Sequence, residues 1–398
     1  MPVNTSTILG GPALVQFRGA TFYSKGNITL ASSKETFNID TDRFGKVDER
    51  VSDESLIVEF EPAGEFENLS VLWPFAATLL GSLVSPQALL VSAINLGTEQ
   101  LTIPTGNGLV TADDVLVHVE TGGVLPAATP ALTQTTRYFV RVIDATTVQL
   151  HPTAADATNN TNAINFTGSG TGAFYLDRDW PLVIHTYAGI KLTLYNAAVV
   201  QMPALRLSAV QTLIGAVRFE AFLRNGTDWN NAAARWVIAA AALSDTSFNP
   251  VNILTQPYTA AWGAVAPWDS FQTKEGWEVG FNLGLAPVMT DALGVVTRRL
   301  TGLDVTARAT PAGIDESQLF TKLLLQDAGA VRGRSLSGDS LNLSATGVYV
   351  RLYGAALKTA AENFSSGLER MGQLEWFATR TFAAGVPNPL FFVGTAAP

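Results

Sequence analysis

The sequence predicts a mainly β protein. It reads as two tandem β-sandwich or barrel modules, each with one short helix, plus a small all-β domain inserted in the first. Three observations lead there. Apolar and polar residues alternate at period two in segments such as 189–198 (GIKLTLYNAA) and 347–356 (GVYVRLYGAA), the mark of half-buried strands. Those two segments also resemble each other at an offset of 158, and 215–221 (GAVRFEA) matches 372–378 (GQLEWFA) at 157. Upstream, 45–51 (GKVDERV) matches 294–300 (GVVTRRL), the PAG at 62–64 recurs at 311–313, and Phe22 and Lys25 match Phe271 and Lys274, all at 249. A constant offset across separate places marks an internal duplication.

The offsets 249 and 158 differ by roughly 91 residues, so the first copy holds that much extra chain between Gly64 and Gly189. Composition changes there. No tryptophan lies from 74 to 179, and the stretch from Val91 to Tyr175 is rich in Thr, Ala, Asn and Gly, with no lysine. A loop of a host fold tolerates such an insertion well. The expected division is module one at 1–88 and 179–228, the inserted β domain at 89–178, a connector at 229–262, and module two at 263–398.

Taken in order, the copies open with strands near 15–30 and 45–61, and near 270–285 and 294–310. A short helix is expected next. In copy one it spans 75–84, with Pro74 suiting a first turn. In copy two it spans 316–326, opened by Asp315 as a cap. The insertion shows strand runs at 115–119, 137–143 and 147–150, the last two joined by a turn at Asp144-Ala-Thr-Thr. Closing strands fall near 189–200 and 212–224, and near 347–357 and 370–382. The connector carries an Ala-rich stretch at 231–243, read as helical.

Composition bounds the function. Apolar residues make up 47% and charged residues 15%, with mean hydropathy +0.20, so the chain is no disordered tail. Its net charge of −9 lacks the basic surface that grips nucleic acid. There is no cysteine, hence no disulfide, thiolate zinc site or thiol nucleophile. His118, His151 and His185 lie far apart. No basic-then-apolar leader is expected at the N-terminus, and no apolar run reaches the ~20 residues of a spanning helix. The low charge fits either surface hidden in an assembly or a large, well-packed core.

Local motifs offer little chemistry. Residues 168–172 (GSGTG) lack the Lys-Ser/Thr ending of a phosphate loop and precede a strand, so they read as a turn. Asp40 with Asp42, and Asp177 with Asp179, lack the Gly and distal Glu of a calcium loop. No Gly-x-Ser-x-Gly elbow occurs. His118 and His185 sit on strand patterns. A glycosidase draws two carboxylates from anywhere in a chain, and Trp73, Trp180, Trp268 and Trp376 suit either sugar stacking or a β core.

Two of these segments, FGKVDERV (44–51) and EFEPAGEFENLSVLWP (59–74), resemble the tail tube (major tail) proteins of long-tailed bacteriophages. So do GWEVGFNLGLAPVMTDALGVVTRRLTGLDVTARATPAG (276–313) and GQLEWFATRTFAAGVPNPLFF (372–392). The inserted LPAATPALTQTTRYFVRVIDATTVQL (125–150) and INFTGSGTGAFYL (164–176) resemble a β module recurrent in phage structural proteins. The resemblance implies a structural virion protein with no catalytic residues, cofactor or metal. Six modules would form a ring, so two per chain imply homotrimeric rings of pseudo-sixfold symmetry, stacked into a tube. Assembly in the bacterial host cytoplasm would place the protein in the virion tail. Partners would be further copies of itself and other tail proteins (tape measure, terminator, baseplate). DNA would pass through the lumen without specific binding, aided by mild negative charge, and no membrane is involved. A tail terminator or baseplate ring protein, and a secreted carbohydrate-binding or hydrolysing β protein, are the alternatives.

Candidate assembly strands are 45–61, 294–309, 189–199 and 347–357. Within them charge reverses between copies: Glu49 matches Arg298 and Glu59 matches Arg308. In a ring of alternating modules these opposite charges would face each other across seams, while like copies would repel.

Overall fold

Two long antiparallel hairpins organise the chain. The computed structural model describes residues 5–9, 13–18, 20–41, 45–64, 66–76, 78–82, 84, 88–104, 109, 111–119, 123–133, 136–177, 181–187, 189–194, 196–208, 212–222, 236–241, 258–264, 266–290, 294–312, 339–362, 371–383 and 386–398. The first hairpin joins Ile28–Thr41 to Gly45–Phe60, and the second joins Gln272–Thr290 to Gly294–Ala312. Their tips correspond at the offset of 249: Thr41 lies opposite Gly45, and Thr290 opposite Gly294. Near the base of the first hairpin, Leu56, Val58 and Phe60 are buried while Ser55, Ile57 and Glu59 are only partly covered. This is the period-two alternation of a strand with one face on a core.

Each hairpin is the spine of a sheet. In the first module the order is Thr5–Leu9, the two hairpin strands, Val217–Phe222, then Asn196–Gln201. In the second it is Thr212–Ile214, Leu205–Leu207, the two hairpin strands, Met371–Thr379, then Gly354–Glu362. A second sheet closes each module. One runs Trp236–Ala240, Ile190–Leu194, Leu182–Thr186, Ala13–Phe17, Ala20–Ser24, Pro62–Ala63; the other runs Thr259–Trp262, Leu341–Ala345, Val348–Leu352, Phe391–Gly394. Rings interlock between the sheets of each sandwich. Phe17 meets Phe219 edge-on at 4.9 Å between centroids, and Trp262 meets Trp376 at 5.7 Å. The apolar residues of both modules form one continuous cluster.

Two expected helices are corrected. The helical residues of the first copy are Phe66–Leu69, continued by a single 3-10 turn at Ser70–Leu72. Pro74 ends the helix rather than starting one, because its ring disfavours the α conformation at Trp73, whose ψ is 61°. Gly81, Ser82 and Val84 then lie along the second hairpin. Gly81 N–H donates to the Leu300 carbonyl at 2.7 Å, Leu300 N–H to Ser82 at 2.8 Å, and Val84 N–H to Arg298 at 2.9 Å. The Ala-rich stretch at 231–243 contains the strand Trp236–Ala240, paired with Ile190–Leu194. It completes the first module's sheet as Phe391–Gly394 completes the second's: Trp236 lies opposite Leu194, and Phe391 opposite Leu352. An open sheet edge and the β-favouring Trp-Val-Ile run override alanine's helical propensity. The helix expected at 316–326 lies outside the described residues.

Residues 88–177 form a sheet of their own, in the order Ala88–Val91, Phe174–Asp177, Asp114–Val119, Tyr138–Val142, Thr147–His151, Gln100–Thr102, Ala93–Asn95. Its core, including Val117, Val140, Leu150, Phe166 and Leu176, is a separate cluster. The first and last of these strands along the chain, Ala88–Val91 and Phe174–Asp177, pair with each other, Ala88 opposite Asp177, so the segment leaves the host where it began. It is not wholly β. Ala154–Asn159 is a helix, capped by Thr153, whose hydroxyl accepts from Asp156 N–H at 3.1 Å.

Candidate assembly surface

The charge reversal read from the sequence has a different basis in the structure. Glu59 lies directly opposite Arg218 on Val217–Phe222 and accepts from its Nε at 2.5 Å. Arg308 lies opposite Glu375 on Met371–Thr379 and donates to it at 3.3 Å. Arg218 and Glu375 stand 157 residues apart, the offset of their strands. The same cross-strand ion pair therefore occurs in both modules with its signs exchanged, and Glu59 and Arg308 are each neutralised within their own sheet.

Glu49 and Arg298 differ from each other. Glu49 is exposed on the first hairpin and accepts from Lys46 three residues earlier, at 2.6 Å. Arg298 does reach across a seam between modules, and its partner is Glu220. The guanidinium donates from Nε to Oε2 at 2.5 Å and from Nη2 to Oε1 at 3.1 Å. The Glu220 side chain is 3% exposed. Such a fork-to-fork pair satisfies both carboxylate oxygens, which a buried charge requires. Sequence reading missed Glu220. It sits in VRFEAF, in the polar phase of the alternation, and only the second hairpin lying over it makes it buried.

Further contacts join the two modules. Leu205–Leu207 leaves the first module and pairs with the second hairpin, Leu205 opposite Val279, Arg206 opposite Glu278, and Leu207 opposite Trp277. Gly276 makes this approach possible: its φ is +90°, and a Cβ there would stand 2.3 Å from the Leu207 carbonyl oxygen, a position only glycine fills. Trp73 donates from Nε1 to the Pro203 carbonyl at 3.0 Å and packs tilted against Phe281, ring centroids 6.0 Å apart. Leu390 N–H donates to Ala76 at 2.8 Å. A groove of about 1040 Å³ follows the joint, bordered by Met202, Ala204, Phe281, Asp304 and Phe377.

The other candidates resolve into structure. Trp73, Trp268 and Trp376 are buried, so none of the three offers a face to a sugar; Trp180 lies outside the described residues. His185 Nε2 meets the Ala241 carbonyl at 2.7 Å, and buried His151 Nδ1 meets that of Thr161 at 2.7 Å. The His118 backbone pairs opposite Tyr175. The turn at 168–172 closes on its own chain: Val124 and Thr171 exchange two 2.9 Å backbone bonds, and a Cβ on Gly170 would meet the Val124 oxygen at 2.3 Å. Asp42 and Asp179 lie outside the described residues. Among the described residues no three metal-ligating side chains cluster, and no helix is long and apolar enough to cross a membrane.

No family model matches the chain, and no curated protein matches it significantly.

Proposed function

We propose that this chain is a structural virion protein, a tail tube subunit whose rings stack into the conduit for DNA ejection. The reading rests first on the sequence resemblance. One structural observation supports it: two like modules in one chain are joined head to tail, the first giving a strand to the hairpin of the second. Contacts of that kind between like bodies are heterologous, and repeated from copy to copy they either close into a ring or run on as a filament. Two modules per chain and six per ring make the subunit count three. The inserted segment, with its own core and adjacent ends, projects outside the tube once per chain. The function is geometric, residing in self-assembly and lumen shape, with tape measure, terminator and baseplate proteins as partners at its ends.

Negative-stain electron microscopy of the purified protein, with its mass in solution, tests this. Hollow tubes carrying three outer knobs per ring are expected. A monodisperse monomer at every concentration overturns the tube reading.

A further inference from the structure

The two hairpins carry different strands on equivalent edges. On the second hairpin, Leu205, Arg206 and Leu207 lie opposite Val279, Glu278 and Trp277. Shifted by 249, those positions are Leu30, Thr29 and Ile28. Opposite them lie Thr7, Ile8 and Leu9 of the N-terminal strand Thr5–Leu9. Both strands run antiparallel to the hairpin, in the same register. So the second hairpin's edge is closed by the neighbouring module, and the first hairpin's edge is closed by the chain's own N-terminus.

One edge accepts one strand, because each outward N–H and C=O serves a single ladder neighbour. A second copy docking by the joint already present inside the chain would present its second module to the first hairpin, at the edge Ile28–Ser32 that the N-terminal strand holds. We propose that Thr5–Leu9 is a self-cap: it covers the docking edge of the free subunit and yields it to a strand from a second copy of this chain. The inference rests on the ring reading above and adds to it which edge receives the neighbour and what must leave first. A cap also has a purpose before assembly. A free subunit with this edge open would pair with any strand it met. Residues 10–12 alone separate the cap from Ala13–Phe17, which is fixed in the first module's other sheet, so a displaced cap stays tethered.

The test uses the full chain, a variant lacking residues 1–9, and the double variant Ile8→Cys/Thr29→Cys, whose two positions lie opposite each other. The chain has no cysteine of its own, so only the intended bridge forms within a subunit. Assembly is followed by light scattering and electron microscopy. The truncated protein is expected to form the same rings at a roughly tenfold lower concentration, since removing a competitor for the edge acts by mass action. The oxidised double variant is expected to remain unassembled and to form rings once reduced. Truncation with no gain, or oxidised protein assembling as well as reduced, overturns the self-cap while leaving the tube reading standing. Loss of rings on truncation makes the strand a builder rather than a cap and also overturns it. Failure of all three proteins to form rings, reduced or oxidised, overturns both.

Discussion

Arg298 and Glu220 pair across the joint between the modules. Removing Arg298 leaves a carboxylate that is 3% exposed without its fork of donors. Arg298→Ala is expected to cost about 3–5 kcal/mol, the usual penalty for orphaning a buried charge, measured by urea unfolding. Glu59→Ala removes a partner whose ion pair with Arg218 is substantially exposed, and its expected cost is within about 1 kcal/mol. Glu59→Arg sets two arginines opposite each other, and Arg218→Glu added to it restores the stability lost. Sequence showed the reversed signs at 59 and 308 but not their reason, because each partner comes from a strand that only the fold brings alongside. For Glu220 the alternation was readable and its burial was not, since the covering residue is 78 positions away.

At the scale of elements, the strands opening at Gly45 and Gly294 were legible because they stand at the repeat offset; the strand expected at 15–30 is instead three, Ala13–Phe17, Ala20–Ser24 and Ile28–Thr41. The turn at Asp144 was legible because its chemistry is local. There the Asp144 carboxylate accepts from Thr146 N–H at 2.8 Å. The helices were not. Trp236–Ala240 is decided by the partner strand Ile190–Leu194, and the stretch after Pro74 by the hairpin it lies against. The helix Ala154–Asn159 carries a pH dependence of its own. The Thr153 hydroxyl, the Asn162 amide and the Thr161 hydroxyl, in that order, hold the Asp156 carboxyl below the ordinary aspartate value. The stability this gives is complete above that ordinary value and is lost as pH falls through the lowered one. Amide shifts across 154–159 are expected to follow the Asp156 titration in NMR, and Asp156→Asn to abolish that response.

At the scale of the whole molecule, the buried apolar residues among those described form two clusters, one shared by both modules and one confined to residues 88–177. The shared core keeps its positions and redistributes its bulk between copies. Trp277 with Ala309 in the second module stands where Ile28 with Phe60 stands in the first, and Trp376 where Phe219 does. Trp376 is fully buried against Trp262 and Trp277. Trp376→Ala is expected to cost about 3–5 kcal/mol. Calorimetry of that variant is expected to show one transition lowered and a second, from residues 88–177, unmoved; a single merged transition would contradict two independent cores. The duplication and the insertion were legible because a repeat interrupted by foreign composition survives changes of side chain. The fusion of the two modules into one core was not, since it depends on which faces meet.

The exchanged ion pairs bear on how a chain with two like halves avoids folding into itself wrongly. While both sheets are forming, the strand of either half fits the hairpin of the other in alternation. Were Met371–Thr379 to settle beside Gly45–Phe60, Glu375 would face Glu59. Were Val217–Phe222 to settle beside Gly294–Ala312, Arg218 would face Arg308. Like charges directly opposite each other destabilise a strand pair, and tandem repeats are prone to this kind of misassembly. Reversing both signs in one copy leaves each correct pairing as favourable as before and makes each crossed pairing repulsive, so two salt bridges of little individual strength act as a proofreading code between the halves.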